Sequence, residues 1–245
     1  MGSEKPEIKK RENSFHSLLF NILIPVILLT QGDRLISSPA SVLVLALAFP
    51  VSYFLWDFQR RKRPNFISIL GFVSILLTGG VGLMQLPRFW FIIKETAIPA
   101  IIGLAVIGSL FTRYPLIRLL VFSKELFDVD HIQTALKERG REEAMEKLLS
   151  RATLLLSISF FISAILNFFL ASHFIQTEPT IDAAQFNAEV GAMTGWSFVV
   201  IALPSTLFLF GILYMVAHGI KKHAGLGFEE ALSPHLREEE KKNED

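Results

Sequence analysis

Apolar residues fill six long stretches of the chain, approximately Phe15–Gln31, Ile36–Trp56, Phe66–Leu86, Trp90–Phe111, Ala152–Ile175 and Trp196–Ala217. A hydrocarbon core of about 30 Å takes about 17–25 helical residues to cross. The runs are continuously apolar and do not alternate, so a β-barrel is excluded and each run is predicted to be a helix with its backbone groups satisfied internally. The expected fold class is all-α, a polytopic membrane bundle of six transmembrane helices. Residues 1–14 form a tail, 15–220 the membrane domain and 221–245 a second, charged tail.

The segments between the runs carry patterns of their own. In the connection 114–150, Leu116, Leu119 and Leu120 follow Pro115 at helical spacing, with Arg118 on another face, which predicts a helix lying along the membrane surface. Asp130 is placed to cap a short helix carrying Ile132, Ala135 and Leu136 on one side and ending at Gly140. Glu142 and Glu143 open a third helix that runs into the fifth span. Residues 176–191 hold three acids and no Lys or Arg, and are expected to form a loop or lid.

Charge orients the bundle. Of 24 Lys and Arg, only Arg34, Arg88 and Lys94 fall on one side; the rest lie in the first tail, at Arg60–Arg63, across 113–151 and after 220. The rich side is cytoplasmic by the positive-inside rule, so both termini are expected in the cytoplasm. Trp56, Trp90 and Trp196 fall at predicted span ends, where amphipathic rings sit at headgroup level. Leu29-Thr30-Gln31-Gly32 lacks a small-x-small cleavage pattern, so the first span is expected to be retained.

The composition, 51% hydrophobic with 22 Phe and 19% charged, agrees with a membrane chain. With no cysteine, disulfides, thiolate metal sites and cysteine nucleophiles are excluded. Nucleic-acid binding gains no support, because the basic residues flank spans. No zinc helix, nucleophile elbow or phosphate loop occurs, so no catalytic residue, metal site or cofactor is assigned.

Lys94 and Glu95 are the charges set well inside a span, and intramembrane ionisable residues are functional candidates. Adjacent helical residues diverge by about 100°, so the two do not simply pair. Glu95 shares a stripe with Pro99 and Gly103 and is expected to face the bundle. Lys94 shares one with Ile98, Ile101 and Ala105 and is expected to face lipid while reaching to the headgroups. Asn21 and Asn167 can bond between helices. Pro25, Pro50, Pro99 and Pro204 each interrupt a span, as kinks in inert helices or at a transporter's binding site. Ser74, Thr78 and Gly82, beside Gly79 and Gly80, make a small-residue face expected to pack on the fourth span at Gly103 and Gly108.

The order of several short motifs resembles the intracellular septation protein A family of bacterial inner-membrane proteins. They are Arg60-Arg61-Lys62, Thr78-Gly79-Gly80, Lys94-x-Thr96, Pro115-Leu116-Ile117-Arg118, Asn167 with Ala171, and Gly211 with Tyr214. The resemblance implies an inner-membrane location and a part in cell-envelope maintenance or septation, with no established reaction. Partners are then the lipid bilayer and envelope or division proteins met through 114–150; a small transporter or channel is the rival. The longer first tail, the enlarged connection at Phe127–Met145, the longer outer loop and Glu95 depart from the family pattern.

Overall fold

A computed structural model describes residues 19–61, 66–112, 117, 122, 126–234 and 236–237. Among these the chain is helical, with one isolated bridge between Phe127 and Leu232 and no strand. Helix α1 is a π-helical turn at Leu19–Leu23 continued by an α-helix at Ile24–Gln31; α2 is Pro39–Arg61, α3 Phe66–Leu83 and α4 Arg88–Gly108. After the 114–125 region come α5 at Val129–Glu138, α6 at Glu142–Phe174 and α7 at Ala183–Ser197. A π turn at Phe198–Ala202 leads into α8 at Leu203–Ala224, and α9 is Phe228–Ala231.

Four stretches are long and apolar enough to cross a membrane: Pro39–Trp56, Arg88–Phe111, Glu142–Phe174 and Ala183–Ala224; Val73–Leu83 is a shorter apolar helix. At most 28% of any of the four is buried inside the protein. Large apolar side chains such as Leu104, Phe169, Leu207 and Phe210 are more than half exposed. Apolar surface on this scale needs a non-aqueous neighbour. The chain is therefore a helical membrane protein.

The chain divides into two compact units, one running up to Lys94 together with Phe169–Phe198, the other Glu95–Phe168 with Val199 onward. In the first, α1 packs on α7 and α2, and α2 packs on α3. Gly191 of α7 lets the two backbones approach: a Cβ there would lie 2.8 Å from Leu29 Cβ and 3.3 Å from the Thr30 backbone nitrogen.

In the second unit, α6 buries Met145, Leu149, Ala152, Thr153 and Leu156, and α8 buries Ile212, Val216, Ile220 and Ala224. Both are stripes of 3.6-residue period. Ile132 and Leu136 of α5 and Ala231 of α9 join the same core. A clasp completes it: Asp128 N donates to Ala231 O at 2.9 Å, Ser233 N to Leu126 O at 3.0 Å, and Arg237 pairs with Asp128 at 2.8 Å.

Several expectations need correction. Asp128, not Asp130, caps α5, accepting from His131 N at 3.2 Å. Residues 183–191 are not loop: Asp182 caps α7, accepting from Gln185 N at 2.9 Å. The small-residue face of α3 is divided: Cβ atoms at Gly79 and Gly82 would run into Leu47 and Leu43 of α2, Thr78 meets Lys94 of α4, and Gly103 of α4 meets Phe160 and Phe161 of α6 instead of this face. A Cβ at Gly80 or Gly108 meets nothing within 4 Å. The opening of α6 at Glu142 and its unbroken course to Phe174 are as the sequence predicts. The first tail, the second tail beyond Arg237 and, apart from Ile117, the expected surface helix around Leu116–Leu120 lie outside the described residues; the part of the second tail from Lys221 to Pro234 is described, and Ala224 and Ala231 there belong to the core.

The glycine contacts give a direct expectation. Gly79→Leu should cost about 1–3 kcal/mol by overpacking against Leu47, whereas Gly80→Leu should be tolerated, as read from thermal unfolding in detergent. Equal behaviour at the two positions would contradict the assignment of the packing face.

Candidate functional site

Lys94 is the buried charged side chain of α4, 6% exposed. Its Nζ donates to Thr78 Oγ1 of α3 at 2.6 Å and lies 4.6 Å from the Phe91 ring centroid, within cation–π range. Thr78 Oγ1 donates in turn to Ser74 O at 3.0 Å, which leaves a lone pair free to accept from Lys94. The expectation that Lys94 faces lipid is therefore wrong, for a local reason. Helical side chains lean toward the N-terminus, so the lysine stem runs back toward Phe91, one turn earlier. It reaches its polar partner through protein instead of lipid.

The Phe91 ring meets Phe186 of α7 edge to face at 5.9 Å, 86° between planes. Phe186 also lines a pocket of about 160 Å³ together with Ser38, Pro39, Leu43, Gly82, Gln85 and Asn187. Asn187, 2% exposed, donates from Nδ2 to Pro39 O at 2.8 Å and ties α7 to the first turn of α2. Gln85 occupies a left-handed conformation (φ 51°) where α3 ends, with Leu86 N bonded to Val81 O at 2.9 Å and Gln85 N to Gly82 O at 3.2 Å. A non-glycine residue there stores about 1 kcal/mol or more of strain.

Beyond α6 the chain is fixed by two charged groups. Arg88 donates from Nη1 to Ile175 O at 2.8 Å, and its backbone N donates to Glu178 Oε2 at 2.9 Å. Glu189 of α7 accepts from the backbone N–H groups of Gln176 and Thr177, both at 2.9 Å, and from Thr177 Oγ1 at 2.7 Å. The acids at Glu178, Asp182 and Glu189 thus cap and clamp this segment.

Glu95 is half-buried. Asn167 turns back on its own helix, donating to Ser163 O at 2.8 Å; the interhelical polar contacts nearby are Ser163 with Ser205 at 3.1 Å and Ser157 Oγ to Gly103 O at 2.9 Å. The Asn21 side chain lies outside the described residues, although its backbone belongs to the π turn of α1. Pro25 and Pro204 each sit two residues after a π turn, and Pro50 and Pro99 lie within α2 and α4. A proline lacks the N–H its helix expects, and a locally widened turn accommodates the loss.

Sequence reasoning missed Thr78 as a partner of Lys94, and missed Asn187 and Gln85 altogether. The spacing of Thr78 marks it as a packing residue, and nothing local marks the other two. Among the described residues, no group of three metal-ligating side chains occurs. Comparison of the chain with family models, curated proteins and solved structures found no match.

Proposed function

We propose that the chain is a six-span protein of the bacterial inner membrane, with both ends in the cytoplasm, that acts through protein partners in envelope maintenance or septation. The observation that carries this reading is the length of α6. Its 33 residues extend about 50 Å at 1.5 Å per residue, against a hydrocarbon core of about 30 Å. Some 20 Å of helix therefore projects from the membrane, and its Glu142 end packs with α5, the end of α8 and α9 into one core. The apolar side of α5 is used internally, and its outer positions, Gln133, Thr134, Lys137 and Glu138, are exposed and polar. A rigid, polar platform of this kind suits docking of a soluble or membrane-anchored partner.

A transporter is the second reading, favoured by buried Lys94 within a candidate span. Neither the pocket beside Asn187 nor one of about 230 Å³ between α5 and α6 is lined by Lys94, Glu95 or Asn167, which weighs against a conduction path through those residues. One experiment separates the readings. A photocrosslinking residue at Gln133 should capture an envelope or division protein in native membranes, and the adduct should vanish when Lys137 and Glu138 are reversed in charge. Solute or ion flux in proteoliposomes, abolished by Lys94→Met and accompanied by no such adduct, would favour the transporter.

A further inference from the structure

The exposed face of α8 changes character along its length. Leu203, Leu207, Phe210 and Tyr214 recur every three or four residues and are 57–73% exposed. The same stripe continues through His218, whose imidazole stacks on the Tyr214 ring at 6.2 Å and 25°, to Lys221 and Lys222 in the last turn. An apolar track that grades through two aromatic rings into lysines matches an acyl chain followed by a headgroup.

A second chain segment brings more cations to the same place. The turn between α5 and α6 contributes Arg139 and Arg141. Gly225, which closes α8 in the left-handed conformation (φ 73°), lies directly under the Arg139 guanidinium, so close that a Cβ would overlap it. Arg141 and Lys222 both bear electrostatically on the His223 imidazole. Among the described residues, Arg139, Arg141, Lys221 and Lys222 form no ion pair with a carboxylate. The C-terminal dipole of α8 favours cations at this end. It does not account for the arrival of two arginines from a turn some eighty residues earlier, against their mutual repulsion.

We infer that this cluster is a binding site for the phosphate of an anionic phospholipid, with one acyl chain lying along the Leu207–Tyr214 face. Arg141 and Lys222 contact the phosphate, Arg139 is held beside them by its seat on Gly225, and His218 with Tyr214 spans the interfacial region, where amphipathic rings are favoured. Basic side chains where helices leave the membrane attract acidic headgroups by about fivefold in affinity for each cation near the surface. The inference rests on α8 crossing the membrane, as proposed above.

The test is native mass spectrometry of the purified full-length chain, titrated with dioleoylphosphatidylglycerol, dioleoylphosphatidylcholine or inorganic phosphate. The expected result is retention of phosphatidylglycerol over phosphatidylcholine, undisturbed by millimolar phosphate. Lys222→Gln should weaken it about fivefold and Arg141→Gln with Lys222→Gln about 25-fold, whereas Lys137→Gln with Lys147→Gln should change it less than twofold. Equal retention of both lipids, equal loss in both double variants, or displacement by phosphate at millimolar concentration would overturn the site. Failure of the spanning reading shows separately, as a chain released from membranes by alkaline carbonate without detergent.

Discussion

Gly191→Leu is expected to destabilise the protein by about 3 kcal/mol or more, the upper end of what overpacking costs. Its Cβ would fall 2.8 Å from Leu29 Cβ, 2.9 Å from Thr30 Cγ2 and 3.3 Å from the Thr30 backbone nitrogen. The first and last of these belong to the backbone of α1 or sit directly on it, so no rotamer change relieves the clash and the helices must separate. Small residues at such crossings allow the close approach from which membrane helices draw much of their association. Gly211→Leu is the matched control. Nothing lies within 4 Å of a Cβ there, and replacing a helical glycine by leucine gains up to about 1 kcal/mol in propensity. The two substitutions should move the denaturation midpoint in detergent in opposite directions. If Gly191→Leu and Gly211→Leu behave alike, the α1–α7 contact is misassigned.

The second large effect concerns Thr78. Thr78→Val keeps the shape of the side chain and removes the oxygen that accepts from Lys94 Nζ at 2.6 Å. A buried amine deprived of this acceptor should cost about 1–3 kcal/mol. Lys94→Met should cost less and can be neutral, because it removes the polar group together with its need for a partner. In the Lys94→Met background, Thr78→Val should then cost little. The double-mutant cycle isolates the coupling, and additive effects of the two substitutions would show that the bond contributes nothing. If Lys94 serves the protein's activity, Lys94→Met gives a folded but inactive chain, which a stability defect alone does not produce.

Much of the helical content was legible because long apolar runs leave a chain in lipid no other choice. The apolar track of α6 and its acidic opening at Glu142 and Glu143 were enough to foresee one helix from the connection into the membrane. What was hidden depended on partners distant in sequence. Thr78 and Gly82 are legible as a packing face, yet nothing local says that its glycines meet Leu43 and Leu47 of α2 while Thr78 meets Lys94 of α4. The axial direction of Lys94 follows from the lean of helical side chains, but its burial depends on α3 standing beside it. The polar start of α7 reads as a loop or lid from its three acids and its lack of Lys and Arg. Asp182 followed by Ala-Ala-Gln is the local signal of the cap that the structure shows.

The central claim is that α6 is one helix that passes through the membrane and projects from its cytoplasmic side. The chain has no cysteine, so single introduced cysteines report cleanly on both. A membrane-impermeant maleimide should label Glu143→Cys and Glu146→Cys only when the cytoplasmic face is open. It should leave Ile158→Cys, Ile162→Cys and Ile165→Cys unlabelled from either side, and label Asp182→Cys only from outside. Labelling of Glu146→Cys and Asp182→Cys from the same side, or of Ile158→Cys and Ile162→Cys from the aqueous phase, would contradict the account.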